Sequence, residues 1–365
     1  HLPYPAYWWR RDGNTFSTRH LDLATTSARK ALGQHFERRR QYVEIVGAVT
    51  PTLHRVNFIG RAKPKISVVI PSKNALELIT TAITDLTTKT DYPDLETLII
   101  DNGSDDPRVL RYYDEITNKN RSIQVHRREE PFNFARSVNR GLSLAIGEHF
   151  LLLNNDISVI HPDWLSEMVS CLSYERAGIV GAKLLYPDAT IQHAGVITGF
   201  GGLAGHWYLN KPADFGGPMN RLHVRSSMTC VTAAAMLISG ECRAATGDMD
   251  EENFAVAYND VDYCLRAYRN RFRIIWTPFA TLFHHESASR GSDKTLKNRL
   301  RFEREKHNLR SMHGTELFCD PAASPLLSRD RSTPTFATLA SLPQARRWHQ
   351  DIDGTENTIS VPAAL

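Results

Sequence analysis

Phe150-Leu151-Leu152-Leu153-Asn154-Asn155-Asp156 is the stretch whose reading decides the fold. Four apolar residues in succession suit a strand buried on both faces of a sheet. The polarity then flips at once to two amides and a carboxylate. Open α/β sheets bind their ligands at the carboxyl ends of strands, and this tip carries suitable groups. Asp156 is a hard oxygen ligand for a divalent cation gripping a diphosphate, and Asn154 and Asn155 can hydrogen-bond sugar or ribose hydroxyls. All three residues also favour turns. Taken alone, the stretch reads more readily as a plain strand end, and its surroundings have to decide.

Upstream, strands and helices alternate. Ile66–Ile70 is an apolar β-branched strand punctuated by Pro71-Ser72-Lys73-Asn74. A helix over Ala75–Thr88 follows, then a second strand, Leu95–Ile100, ending in Asp101-Asn102-Gly103-Ser104. A helix over Pro107–Asn118, a strand at Ile123–His126 and a helix over Asn133–Ala145 complete the series, with Asn139 on the last helix and Gly147 ending it. The alternation predicts an α/β fold with a mainly parallel central sheet flanked by helices and right-handed crossovers. Ser72, Asn74, Asp101 and Asn154–Asp156 should line one crevice. No Gly-x-Gly-x-x-Gly and no Gly-x-x-x-x-Gly-Lys-Ser/Thr occurs, which argues against a dinucleotide fingerprint and a P-loop.

Downstream the chain changes character. Pro162–Leu172 reads as a helix and Gly178–Leu184 as a strand. A Gly-rich apolar run over 191–205 holds His193, with His206 just after, and Val231–Ser239 is a strand of small residues. Asp260 and Asp262 open a helix, where acidic side chains also complement the helix dipole. A strand over Phe272–Trp276, then Pro278, leads to Leu282-Phe283-His284-His285, and Asn298–Met312 is a basic helix. Adjacent residues of a strand point opposite ways, so only one of His284 and His285 can face a site. The flanks are plainer. Residues 1–61 hold an aromatic cluster at Tyr7-Trp8-Trp9, a helix over Leu23–Arg40 and strand material over Gln41–Phe58 broken by Pro51. After Glu316 the chain is rich in Pro and Ser and is expected to wrap the surface with little structure of its own.

Composition bounds the function. The 365 residues are 41% hydrophobic and 23% charged, ordinary for a globular protein. A formal net charge of +4 is too small to indicate nucleic acid. Basic clusters at Arg38–Arg40 and Arg299–Lys306 read as solvated helix faces, leaving open a weak attraction to an anionic membrane surface. The five cysteines form no Cys-x-x-Cys pair and read as buried free thiols of a reducing compartment. No apolar run approaches the ~20 residues of a membrane helix. The expected location is cytoplasmic, at or near the inner face of a membrane. The chain begins at His1 rather than Met, as a piece of a longer protein would.

Five blocks in order resemble glycosyltransferase family 2, inverting sugar-nucleotide transferases of the GT-A fold. They are Val-Val-Ile-Pro-Ser-Lys-Asn (68–74), Ile-Ile-Asp-Asn-Gly-Ser (99–104), Leu-Leu-Leu-Asn-Asn-Asp (151–156), Asn-Asp-Val-Asp-Tyr-Cys-Leu-Arg (259–266) and His-His-Glu-Ser-Ala-Ser-Arg-Gly (284–291). The last block, with Gln192-His193-Ala194-Gly195, is similar to the rhamnosyltransferase-like branch of bacterial O-antigen and surface-polysaccharide synthesis. The resemblance implies a transferase domain over 62–314, split into a nucleotide-binding half (62–158) and an acceptor half (159–314). Residues 1–61 would be an N-terminal extension or linker, the remnant of an upstream transferase domain that the resemblance of Tyr7–Thr15 to such a domain's tail implies, and 315–365 a C-terminal extension.

The same resemblance implies roles for individual residues. Pro71, Ser72, Asn74 and Asp101, with Asn133 and Asn139, would hold the nucleotide sugar, together with the Asn154-Asn155-Asp156 counterpart of the metal-binding DxD element. Asn154 stands where the first Asp is usual, which removes a charge from the cation's grip. Asp156 and His284 would hold Mn(II) or Mg(II), Asp260 would be the general base, and His193, His206 and Asp262 would meet the acceptor. The donor would be a UDP-, dTDP- or GDP-sugar, giving a hexosyl- or deoxyhexosyltransferase acting on a saccharide or lipid-linked glycan. Two alternatives remain at this stage. A sugar-1-phosphate nucleotidylyltransferase would carry a Gly-rich basic loop after the first strand, which Pro-Ser-Lys-Asn-Ala is not. A non-catalytic saccharide-binding scaffold would have no reason to keep Asp156, Asp260 and His284.

Overall fold

The computed structural model describes residues 15, 19–60, 62–285, 295–324, 327–328 and 335. The Tyr7-Trp8-Trp9 cluster and residues 286–291 of the last sequence block lie outside the described residues.

The first half follows the alternation. β3 (Ile66–Ser72), β4 (Leu95–Asp101), β5 (Ile123–Arg127) and β6 (His149–Leu153) are parallel neighbours, joined through α2 (Leu76–Thr88), α3 (Pro107–Lys119) and α4 (Phe134–Leu144). Period-two alternation divides their side chains between two cores. Val68, Ile99 and Leu151 pack under Ile79, Ile83 and Val109, whereas Val69, Leu98 and Leu152 pack under Val138 and Leu142. Gly141 sets the second interface: a Cβ there would lie 2.3 Å from a Val69 methyl, so only glycine lets α4 lie this close to β3.

The second half is wired differently. The full order is β12 (Ser226–Met228), β14 (Arg273–His284), β8 (Ala177–Leu185), β13 (Ala235–Ser239), β6, β3, β4, β5. β13 runs antiparallel to both β6 and β8, and β8 is parallel to β14. The sheet is therefore parallel through the first half and mixed beyond β6. A run of small apolar residues such as 231–239 marks a buried strand but not its direction, which the pairing partner decides.

Pro278 does not end the last strand. β14 continues from Arg273 to His284, with residues 278–280 accommodated between Thr277↔Ala182 and Thr281↔Lys183 in the register against β8. Such an irregularity is where a strand tolerates a residue that cannot donate to the ladder. Past it, β14 pairs with β7 (Ile157–Val159), His284 opposite Ile157.

The flanks are packed where they are described. α1 (Leu21–Arg38) lies on the hairpin β1 (Val43–Gly47)–β2 (His54–Phe58), through an edge-on aromatic chain Phe36–Phe58–Tyr174 with centroids 5.6 and 5.1 Å apart. The hairpin is tied to α5 (Trp164–Cys171) by Arg55, 2.9 Å from Glu167, whose carboxylate also receives Arg225 at 2.6 Å and the Thr277 hydroxyl at 2.7 Å. Beyond Glu316 the loose wrapping expected from composition is not what 317–324 do. Phe318 and Asp320 are buried, and Asp320 accepts from the Thr198 and Ala322 amides, both at 2.8 Å, and from the Thr229 hydroxyl. Among the described residues, no helix is long and apolar enough to cross a membrane.

Candidate active site

The site lies where β3, β4 and β6 end and β13 begins. Because β13 is antiparallel to β6, with Ala235 opposite Leu153, its leading residues sit beside the Asn154–Asp156 tip. Three consecutive residues there fasten three parts of the site. The Thr232 amide faces His193 Nε2 at 3.5 Å, the Ala233 amide donates to Asp260 at 3.2 Å, and the Ala234 carbonyl accepts from the Asn154 amide at 3.0 Å.

Asp156 and His284 form the polar corner. The β7–β14 ladder and a bond from the His285 amide to the Asp156 carbonyl at 2.9 Å bring His284 Nε2 to 3.0 Å from Asp156 Oδ1. Both residues are nearly buried. Asn154 Nδ2 is 3.2 Å from the same Nε2, and Nδ1 of His284 is 2.6 Å from Gln192 Oε1. His285 points to the other side of the strand from His284, Nε2 2.8 Å from the Ser158 hydroxyl. Among the described residues no three His, Cys, Asp or Glu side chains gather. A carboxylate plus an imidazole nitrogen nonetheless suits a cation such as Mn(II) whose remaining positions are taken by substrate oxygens and water. A groove of about 180 Å³ lined by Glu77, Leu78, Thr81, Ile157 and His285 opens against Asp156.

The nucleotide-side residues form one hydrogen-bonded rim. Asn155 Nδ2 donates to the Ser72 hydroxyl at 3.1 Å, and the Ser72 carbonyl accepts from the Asn102 amide at 2.9 Å. Pro71 lies within β3, opposite Ile100 of β4. Asn74 sits in the left-handed region, φ 51°, its amide on the Ser104 hydroxyl at 2.7 Å and its side chain on the Asp105 and Asp106 amides at 3.1 and 3.2 Å. Asp101 is fully buried. It accepts from the Ser104 amide at 2.7 Å, from the Ser104 hydroxyl, and from the Tyr113 hydroxyl at 3.2 Å. Burial raises the Tyr113 phenol above its ordinary value, so it remains a donor. Arg127 Nε lies 3.8 Å from the same carboxylate.

Two other expected nucleotide residues are engaged elsewhere. Asn133 caps α4, accepting from the Arg136 amide at 2.9 Å and donating to the Glu251 carbonyl at 2.8 Å. Asn139 makes a two-way amide pair with the Met249 backbone at 2.9 and 2.8 Å. Both clamp α4 to the 249–251 loop. Asn139 also borders a larger groove, about 540 Å³, with Arg128, Arg136 and Arg140 set against Glu130 and Glu251.

On the acceptor side, α7 (Asn259–Arg269) presents Asp260 in its first turn, half-buried and held at 2.9 Å by the Val261 amide as well as by Ala233. Asp262 is on another side of that turn. Its oxygens receive Arg266 at 2.8 and 3.0 Å and His313 at 2.8 Å. Burial pulls this carboxyl upward, yet the His313 hydrogen bond and the Arg266 charge leave it below its ordinary value. The acceptor contact expected of Asp262 thus gives way to a tie between α7 and α8 (Leu296–His313). His193 is fully buried on β9 (Ile191–His193), Nδ1 3.1 Å from His206 Nδ1 on β11 (Ala204–His206), itself paired with β10 (Val196–Thr198). Burial, reinforced by His206 and His284, holds its imidazole well below the usual value, hence neutral. His206, by contrast, is half-buried.

Two residues escaped the sequence reading. Gln192 was visible only inside the Gln-His-Ala-Gly block, where strand alternation sets it opposite to His193. Glu305 lay within the basic helix. It is fully buried, accepting from the Val256 and Ala257 amides at 2.9 and 3.1 Å just before α7.

Comparison with known proteins agrees with this fold. Residues 67–225 match the family model "Glycosyl transferase family 2". The chain is 36% identical over 335 residues, 91% of its length, to an uncharacterized protein, y4gI, of Sinorhizobium fredii, and 33% identical over 296 residues, 80% of its length, to the O-antigen biosynthesis protein RfbC of Myxococcus xanthus. It spans only 37% and 23% of those two proteins. Among solved structures, GalNAc-T7 with UDP, GalNAc and Mn2+ superposes with a TM-score of 0.53 at 16% identity, covering 69% of this chain and 51% of that one, and shares the GT-A fold. The family match places a glycosyl transferase family 2 domain on residues 67–225, which hold Ser72, Asp101 and the Asn154–Asp156 tip.

Proposed function

We propose that this chain is an inverting glycosyltransferase moving a sugar from a nucleoside-diphosphate sugar to a hydroxyl of a saccharide or lipid-linked glycan in surface-polysaccharide synthesis. The observation that carries the reading is the Asp156–His284 pair at 3.0 Å, joined through Ala233 and Ala234 to a half-buried Asp260. RfbC, named for O-antigen biosynthesis, supports the substrate class, and the Mn2+ in the GalNAc-T7 structure supports a divalent cation.

The Ser72–Asn74–Ser104–Asn155 rim binds the nucleotide, with Asp101 fixing Ser104 beneath it. Asp156 and His284 hold Mn(II) or Mg(II), which when bound neutralises charge on the leaving diphosphate. Asp260 accepts the proton of the acceptor hydroxyl as that oxygen attacks the anomeric carbon from the face opposite the leaving group. The Ala233 and Val261 amides keep its carboxylate aimed, and general-base catalysis of this kind contributes ~10²–10⁴-fold.

The test pairs UDP-, GDP- and dTDP-sugars with glycan acceptors and follows nucleoside diphosphate release. Release should depend on acceptor, and Asp260→Asn should lower kcat by about 10²–10⁴-fold with donor affinity kept. Asp156→Ala should abolish cation-dependent donor binding. Pyrophosphate exchange with a sugar phosphate would instead mark a nucleotidylyltransferase, and near-wild-type turnover in Asp260→Asn would remove the assigned base.

A further inference from the structure

We propose that Gln192 is the positioning residue of the cation corner: it holds the His284 proton on Nδ1 and so presents Nε2, lone pair outward, beside Asp156. This rests on the functional reading above, which places the cation there.

The argument begins with hydrogen-bond chemistry. Gln192 and His284 stand at β9 and β14, on strands that both pair with the carboxyl-terminal end of β8. At 2.6 Å, Gln192 Oε1 is an acceptor facing His284 Nδ1, so the proton must be on Nδ1. Gln192 is only 4% exposed, and the residues on either side of it, Ile191 and His193, pair with Leu185 and Leu184 of β8. The opposite ring nitrogen reports the same assignment. Nε2 lies 3.2 Å from Asn154 Nδ2, a donor that needs a lone pair. Nε2 is also 3.0 Å from a carboxylate oxygen, an arrangement that asks for a proton or a cation between the two. Metal-binding imidazoles almost always donate their other N–H to such a partner, which fixes the tautomer and ring plane and raises ligand basicity. His193, next to Gln192, cannot substitute: its Nδ1 is committed to His206.

The test reads cation affinity directly. Free Mn(II) is counted by electron paramagnetic resonance during titration of wild type, Gln192→Met and Gln192→Glu, each with and without UDP, and thermal melting is recorded alongside. Methionine keeps the size of glutamine and stays apolar, so the fold should survive its burial. Gln192→Met should weaken Mn(II) binding about 10–100-fold, the usual cost of losing such a partner, at a melting temperature close to wild type. Gln192→Glu restores an acceptor and should bind within a fewfold of wild type or more tightly. Equal Mn(II) affinity in wild type and Gln192→Met would overturn the role of Gln192 and leave the cation reading standing. No Mn(II) binding by wild type, even with UDP, would overturn both. Nitrogen-15 spectra of the metal-free protein supply a second readout: a His284 ring with its only proton on Nε2 would refute the assignment.

Discussion

Glu305→Gln isolates the support beneath the proposed base. The wild-type carboxylate, fully buried in α8, spans two consecutive amides, Val256 at 2.9 Å and Ala257 at 3.1 Å, and pairs with Arg301 at 3.5 Å, a charge that glutamine also gives up. Those amides lead into Tyr258, held in the left-handed region at φ 60°, from which α7 and Asp260 start. Glutamine matches the shape but offers one acceptor where two are needed, and its amide would face a backbone N–H. One buried donor left unpaired costs about 1–3 kcal/mol. The backbone can relieve this by retreating at 256–257, which displaces Asp260, and misplacing a reacting group by ~1 Å can cost about 10²-fold in rate. Urea unfolding and turnover at saturating donor should therefore both fall, while donor affinity holds, since the nucleotide rim belongs to the other half. Glu303→Gln is the control, an exposed neighbour on the same helix paired with Lys306. Turnover of Glu305→Gln within twofold of wild type, or an effect confined to donor affinity, would refute the reasoning.

Other outcomes follow from the buried charges. Glu167 is held below its ordinary value because the Arg225 hydrogen bond and charge outweigh its burial, so Arg225→Ala should cost about 3–5 kcal/mol in urea unfolding; a loss under about 1 kcal/mol would show the pair to be idle. Asp262→Asn should lower the melting temperature through its lost ties to Arg266 and His313 but leave turnover of the folded protein nearly unchanged, and a collapse of turnover at full stability would return Asp262 to the acceptor site. Burial lifts the Asp320 carboxyl from 3.8 to about 6, so the folded state binds this proton more tightly than the unfolded chain. Its stabilising contribution is complete below pH 3.8 and is lost as pH rises through 6, up to about 3 kcal/mol in all. Asp320→Asn should remove that slope from stability measured between pH 4 and 7, and an unchanged slope would assign it to other groups.

The parallel half was legible because its rules are local. Apolar runs ending in Pro71–Asn74, Asp101–Ser104 and Asn154–Asp156 announce strands and their tips, and the observed bounds differ by only a residue or two. What escaped depends on partners distant in sequence. Nothing in residues 231–239 says that the strand will lie antiparallel between β6 and β8, and nothing beside Pro278 says that three residues can be absorbed against Ala182 and Lys183. The site showed the same limit. Residue type singled out Asn133, Asn139 and Asp262, since amides and carboxylates that cap helices or bridge loops are chemically identical to those that meet a ligand. Only their partners separate the two uses. Phe318 and Asp320 were hidden by the Pro- and Ser-rich composition around them.

The antiparallel placement of β13 has a consequence for biosynthesis of the protein itself. β3, β4 and β5 pair in sequence order, and β6 returns to lie against β3 as soon as Leu153 has been made. The bench at Thr232–Ala234 joins them only after a long loop closes, and His284 emerges later still. A growing chain thus shapes a nucleotide rim well before it owns either the imidazole of the cation corner or the carboxylate of the proposed base. Assembly of the rim and completion of the polar corner are therefore separate events along the growing chain, the second waiting on β13 and β14.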